Sequence, residues 1–154
     1  MYFPILRGRQ FELLALRECV KENVLSSQII PIVEPVNVSS TYIKTIDSFI
    51  EAEKPIAVIR NPQVGSWSKD LKKESNINIS AQFQKQCKAP CVISSFYVTP
   101  ELEKDIRSAI EKGNSIESML LLCNNPEYVD EYENVIGEKT PLYTLIPDRG
   151  DFRR

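Results

Sequence analysis

Polar residues recur at one place along this chain, immediately after an apolar strand-like run. Arg7 follows Phe3-Pro4-Ile5-Leu6, and Glu34 follows Ile29-Ile30-Pro31-Ile32-Val33. Arg60-Asn61 follows Ile56-Ala57-Val58-Ile59, Asn124-Asn125 follows Leu120-Leu121-Leu122-Cys123, and Asp148-Arg149 follows Leu142-Tyr143-Thr144-Leu145-Ile146-Pro147. In α/β folds, ligands bind at the carboxyl ends of parallel strands. The recurrence therefore marks a candidate site before any motif is invoked, without naming a reaction.

Between these runs lie helical patterns. Leu13, Leu16, Val20 and Val24 keep helical spacing over about Arg9 to Val24. Asn37-Val38-Ser39-Ser40 offers N-caps to a helix reaching about Glu53, with Ile43, Ile46 and Ile50 on one stripe and Tyr42 and Phe49 beside it. Lys54-Pro55 ends that helix. The stretch from Ser66 to Lys88 is the least regular. It contains Trp67, the only tryptophan, and a short helix over about Ser80 to Cys87, with Phe83 and Cys87 inward. Thr99-Pro100-Glu101 has the form of a helix start, with Leu102, Ile106, Ala109 and Ile110 as its buried face and Gly113 at its end. Asn125-Pro126-Glu127 repeats that signal before Val129, Tyr132 and Ile136, and Gly137 closes the helix.

Strand and helix thus alternate at about 25 residues per unit, which implies right-handed crossovers and a parallel sheet. The expected fold is α/β, barrel-like and incomplete. It has about six strands where a closed (β/α) barrel has eight. At 154 residues the chain has the size of one α/β domain covering residues 1–154. The expectation is that it forms the N-terminal part of a longer barrel-like protein. An exposed sheet edge would then be covered by the missing C-terminal portion or by self-association.

Composition narrows the chemistry. The chain has no histidine, which removes Ser-His-Asp, Cys-His and zinc-histidine arrangements and leaves carboxylates, Lys, Tyr, Cys or an oxygen-bound metal. Cys19, Cys87, Cys91 and Cys123 show no C-x-x-C spacing, so a zinc or redox centre is not expected. The net charge of -2, with 19 basic and 21 acidic residues, argues against a nucleic-acid binder. The N-terminus lacks the form of a signal peptide, and no apolar run approaches the roughly 20 residues of a membrane helix. A cytoplasmic protein with reduced thiols, and no membrane partner, is expected. The five glycines are isolated, so Walker and Rossmann fingerprints are absent.

Four segments together resemble the Beta protein family, a phage- and bacteria-associated group of unknown function. They are Met1-Tyr2-Phe3-Pro4-Ile5-Leu6-Arg7-Gly8-Arg9-Gln10-Phe11-Glu12-Leu13, Ile30-Pro31-Ile32-Val33-Glu34-Pro35-Val36, Ala57-Val58-Ile59-Arg60-Asn61-Pro62-Gln63-Val64-Gly65, and Ile146-Pro147-Asp148 with Phe152-Arg153-Arg154. They occur in the family's order and span the whole chain. Family members are longer, so the resemblance implies an N-terminal segment of a barrel-like protein. It carries no activity with it.

Two functional classes stay open. In one, the chain is a non-catalytic interaction or binding module, phage- or defence-related, whose strand-end charges form structural ion pairs. In the other, it is an enzyme or binding protein for a phosphorylated or carboxylate ligand. Glu34 and Asp148 would then be the catalytic acid-base pair or would hold Mg²⁺ through oxygen ligands. Arg7, Arg60 and Arg149 would bind the anion through their planar forks, and Asn61 and Asn124 would fix polar groups. The same Arg residues would alternatively neutralise Glu34, Asp148 and Asp151. Trp67 would either cover a ligand, dock a partner or pack; Lys69, Lys72 and Lys73 would form a solvated face. The discriminating observation is whether Arg7, Glu34, Arg60 and Asp148 line an open pocket or are paired and shut off from solvent.

Overall fold

In a computed structural model, residues 1–148 are described. The elements alternate as expected. β1 (Ile5–Arg7) leads to α1 (Gln10–Lys21), β2 (Ile32–Glu34) to α2 (Ser40–Glu51), and β3 (Ile56–Ile59) to α3 (Trp67–Asp70) and α4 (Ile77–Gln86). β4 (Val92–Tyr97), α5 (Leu102–Glu111), β5 (Leu120–Leu122), α6 (Val129–Ile136) and β6 (Tyr143–Leu145) follow. The strands form a six-stranded sheet in chain order, β1-β2-β3-β4-β5-β6, and the registered pairings are parallel. This is an α/β fold with the strand order of an incomplete (β/α) barrel. The chain divides into two compact units, Met1–Ile93 and Ser94–Arg154.

In the first unit, α1 places Leu13, Leu16 and Val20 in the core, and α2 adds Tyr42, Ile43, Ile46 and Phe49. Each fully buried side chain of this size is worth about 1.5–3 kcal/mol of apolar transfer. Helix-to-helix polar contacts fix the packing. Thr45 Oγ1 donates to the Thr41 carbonyl at 2.8 Å and lies 3.4 Å from that of Leu13. Gln86 Nε2 donates to the Ile43 carbonyl at 2.9 Å and to Asp47 Oδ1 at 2.7 Å. α1 ends earlier than its apolar spacing suggests. Asn23 turns left-handed at φ 53°, so Val24 leaves the stripe and is exposed. α4 begins at Ile77 rather than Ser80, with Phe83 inward as expected. Trp67 is buried and packs edge-on to Tyr42 and Phe83, at ring-centroid distances of 4.9 and 5.1 Å. It is a packing residue, not a lid.

In the second unit, Phe96, Val98, Leu102, Ile106, Ala109, Met119, Leu121 and Ile136 form the core. Ile110, expected on the buried face of α5, is exposed. Gly113 ends α5 at φ 96° and Gly137 ends α6 at φ 57°, as their positions imply. Asn125 caps the 3-10 turn Pro126–Tyr128 by accepting from the Glu127 amide at 3.0 Å.

Candidate functional site

The carboxyl ends of β1, β2 and β3 lie within the first unit. Arg7 and Glu34 are the last residues of their strands and sit opposite one another in the β1–β2 register. They belong to the strands themselves rather than to the turns after them. Arg7 is exposed. Glu34 is only 3% exposed, and its Oε1 accepts a hydrogen bond from the Gln63 backbone amide at 2.8 Å. The Glu34 carbonyl accepts from the Gly8 amide at 2.7 Å. One residue thus holds the turn after β1 through its backbone and the loop after β3 through its carboxylate.

The turns lie close together, and their sequences reflect this. A Cβ on Gly8 would stand 3.2 Å from the Glu34 carbonyl oxygen and 3.3 Å from Tyr42 Cδ2. A Cβ on Gly65 would fall 2.1 Å from the Val36 carbonyl oxygen, and Gly65 has φ +70°. That carbonyl accepts from the Ser66 and Trp67 amides at 2.8 and 3.1 Å. The third loop is therefore laid on the second, and only glycine permits that approach.

Arg60 is half-buried at the end of β3. Its Nη2 donates to Gln84 Oε1 at 3.2 Å, and its Cζ lies 5.5 Å from the centre of the Phe83 ring, within cation–π range. The Asn61 carbonyl accepts from Gln63 Nε2 at 2.7 Å. Behind them, the Tyr42 hydroxyl is buried and has no hydrogen-bond partner among the described residues. Burial pushes its pKa well above 10, an effect strengthened by Cys87 and opposed by Arg60. On the rim, Asp70 is held below the usual carboxylate range, first by its bond from Lys73 and then by that from Ser66.

A cleft of about 390 Å³ opens between the turns after β1 and β2. It is lined by Gly8, Arg9, Gln10, Val36, Asn37, Ser39 and Thr41. The first turns of α1 and α2 meet it, and Ser39 Oγ caps α2 by accepting from the Tyr42 amide at 3.2 Å. Sequence reasoning missed this cleft. Arg9 stands one residue past the turn glycine rather than at a strand end, and Ser39 and Thr41 read only as cap and helix residues.

In the second unit, Asn124 and Asp148 are exposed after β5 and β6. Arg149 and Asp151 lie outside the described residues. Asn124 and Asp148 belong to the second unit while Glu34, Arg7, Arg60 and Asn61 belong to the first. Among the described residues, no group of three or more His, Cys, Asp or Glu side chains is arranged to hold a metal ion. No helix among them is long and apolar enough to cross a membrane. No protein-family model, curated protein or solved structure matches this chain.

Proposed function

We propose that this chain is a non-catalytic binding or interaction module, and that it belongs to the Beta protein family. The observation that carries this reading is the placement of Glu34. An acid-base catalyst or a Mg²⁺ ligand has to reach substrate or solvent, whereas this carboxylate is 3% exposed and is bonded to the Gln63 amide. Arg60 supports the same reading, because its guanidinium is directed at Gln84 and Phe83. The phage- or defence-related part of the proposal rests on the four family-like segments alone. A reducing, cytoplasmic setting suits Cys19, Cys87, Cys91 and Cys123, which form no disulfide among the described residues.

Thermal unfolding with and without MgCl₂ or MnCl₂ tests the proposal, since any ligand that prefers the native state raises its Tm. A structural Glu34 gives no metal-dependent rise in the wild type and a lower baseline Tm in Glu34→Gln. A metal-dependent rise that Glu34→Gln abolishes would overturn the reading.

A second reading is favoured by the cleft beside Arg9: binding of an anionic small molecule, phosphorylated or carboxylate. Two helix N-termini and a guanidinium provide positive potential there, and Thr41 and Asn37 add polar groups. Inorganic phosphate should then raise the Tm of the wild type and not that of Arg9→Ala. Equal behaviour of the two proteins contradicts it.

A further inference from the structure

Two side chains converge on the hydroxyl of Ser66, at the end of the loop that follows β3. Ser66 Oγ is hydrogen-bonded to Asp70 Oδ2, and Asn37 Oδ1, from the turn after β2, lies 3.2 Å from the same oxygen. Both contacts need a proton from Ser66, and a serine hydroxyl has one to give.

The charge on Asp70 decides between them. Lys73 Nζ stands 2.6 Å from Asp70 Oδ1. The bonds from Lys73 and then Ser66 hold the Asp70 carboxyl below its usual range. At neutral pH it is a carboxylate, which only accepts. Ser66 therefore gives its proton to Asp70, the charge-assisted and stronger of the two bonds. Lone pairs remain on the Asn37 side, so the Asn37 atom facing them has to be a donor. The two ends of an asparagine amide have nearly the same shape, and the surrounding hydrogen bonds decide which is nitrogen. Here they set Nδ2 toward Ser66 and turn the carbonyl oxygen the other way.

That orientation matters because Asn37 is exposed and lines the cleft beside Arg9. Its far end is bonded to no other described residue. The neighbouring side chains are donors. Arg9 has a guanidinium, and Ser39 Oγ, which accepts from the Tyr42 amide at 3.2 Å, keeps its proton for a ligand. Asn37 adds an acceptor to this set.

We propose that the cleft takes a hydroxylated anion, a phosphate or carboxylate held by Arg9 whose neighbouring hydroxyl donates to the carbonyl oxygen of Asn37. The proposal rests on the anion-binding reading of this cleft and names the ligand class for it. Ser66 is a positioning residue. It is not among the cleft's lining residues, yet it fixes which end of Asn37 a ligand meets, so the loop after β3 sets the selectivity of a cleft formed by the two turns before it.

Matched ligands test this on the 154-residue chain: 2-hydroxyethyl phosphate against ethyl phosphate, and lactate against propionate, titrated by NMR. Whichever anion binds, its hydroxylated member should bind about three- to tenfold more tightly, the worth of one hydrogen bond. The pair that responds identifies phosphate or carboxylate as the anion. Asn37→Ala and Ser66→Ala should each remove the preference while the plain anion still binds, and a cooperative melt establishes that both variants are folded. Equal affinity within a binding pair overturns the proposal and leaves the anion-binding reading intact. So does a preference that survives in either folded variant. Failure of both pairs to bind the wild type overturns the proposal and that reading together.

Discussion

The Gln63 amide donates to Glu34 Oε1 across 2.8 Å, tying the last residue of β2 to the loop that follows β3. The carboxylate is buried in the process, so its removal leaves an amide without its acceptor. Replacing Glu34 by Ala should cost about 1–3 kcal/mol, the range for an orphaned buried polar group. Glu34→Gln, which keeps an acceptor oxygen, should cost less. Urea unfolding of the two variants measures the difference. Equal stability of both to the wild type would contradict the loop-holding role.

Gly65 provides a second test of how the loops are joined. With φ +70° and a prospective Cβ 2.1 Å from the Val36 carbonyl oxygen, Gly65→Ala meets both backbone strain and a collision. The left-handed backbone alone accounts for about 1–3 kcal/mol. Gly65→Ala should therefore destabilise by at least that amount, whereas Gly113→Ala, with open space around its Cβ and φ +96°, should show the backbone cost without the collision. Denaturant midpoints compare the two.

Tyr42 leads to an unusual expectation for a buried aromatic residue. Its hydroxyl has no hydrogen-bond partner among the described residues, and removing an unsatisfied buried group can be neutral or stabilising. Tyr42→Phe should therefore leave stability unchanged or raise it, while Tyr42→Ala, which empties the contact with Trp67 and Phe83, should cost about 3–5 kcal/mol. The hydroxyl also sets an alkaline limb. Its folded pKa is raised by burial, so above about pH 10 the unfolded chain loses a proton that the native state retains. Stability falls as pH rises from there, and Tyr42→Phe should make the fall shallower. Thermal melts between pH 9 and 11, in steps of about half a unit, read the slope.

Asp70 acts at the opposite end of the pH scale. Bonds from Lys73 and Ser66 lower its pKa. Its contribution is present above the unfolded aspartate pKa of about 3.9 and is lost as pH falls through the lower folded value. Asp70→Asn should thus reduce the acid sensitivity between about pH 4 and pH 2 at a modest cost in neutral-pH stability, since Lys73, its ion-pair partner, is largely exposed. A wild-type acid limb unaltered by Asp70→Asn would contradict this.

The order of strands and helices was legible because apolar spacing reports which face is buried. Leu13, Leu16 and Val20 on α1, and Leu102 and Ile106 on α5, followed the helical period. Val24 and Ile110 departed from it for local reasons that spacing does not record: a left-handed Asn23 ended α1, and only part of the α5 stripe faced a neighbour. At the site, strand-end position identified Glu34 and Arg60 but not their roles. The partner of Glu34 is a backbone amide, which has no sequence signature, and the reason for Gly65 lies at Val36, distant in the chain. The cleft lined by Arg9, Ser39 and Thr41 depends on two turns meeting, which neither turn encodes alone.

The most direct measurement is amide hydrogen exchange at Gln63 in the wild type, followed by NMR. Gln63 lies in a surface loop with an exposed side chain, so without a fixed acceptor its amide would exchange at the rate of an open loop. If Glu34 holds this loop, the Gln63 amide exchanges slowly, in step with the Ser66 and Trp67 amides bonded to Val36, and Glu34→Ala accelerates it. Rapid exchange at Gln63 in the wild type, with Ser66 and Trp67 protected, would contradict the claim that Glu34 is a structural residue.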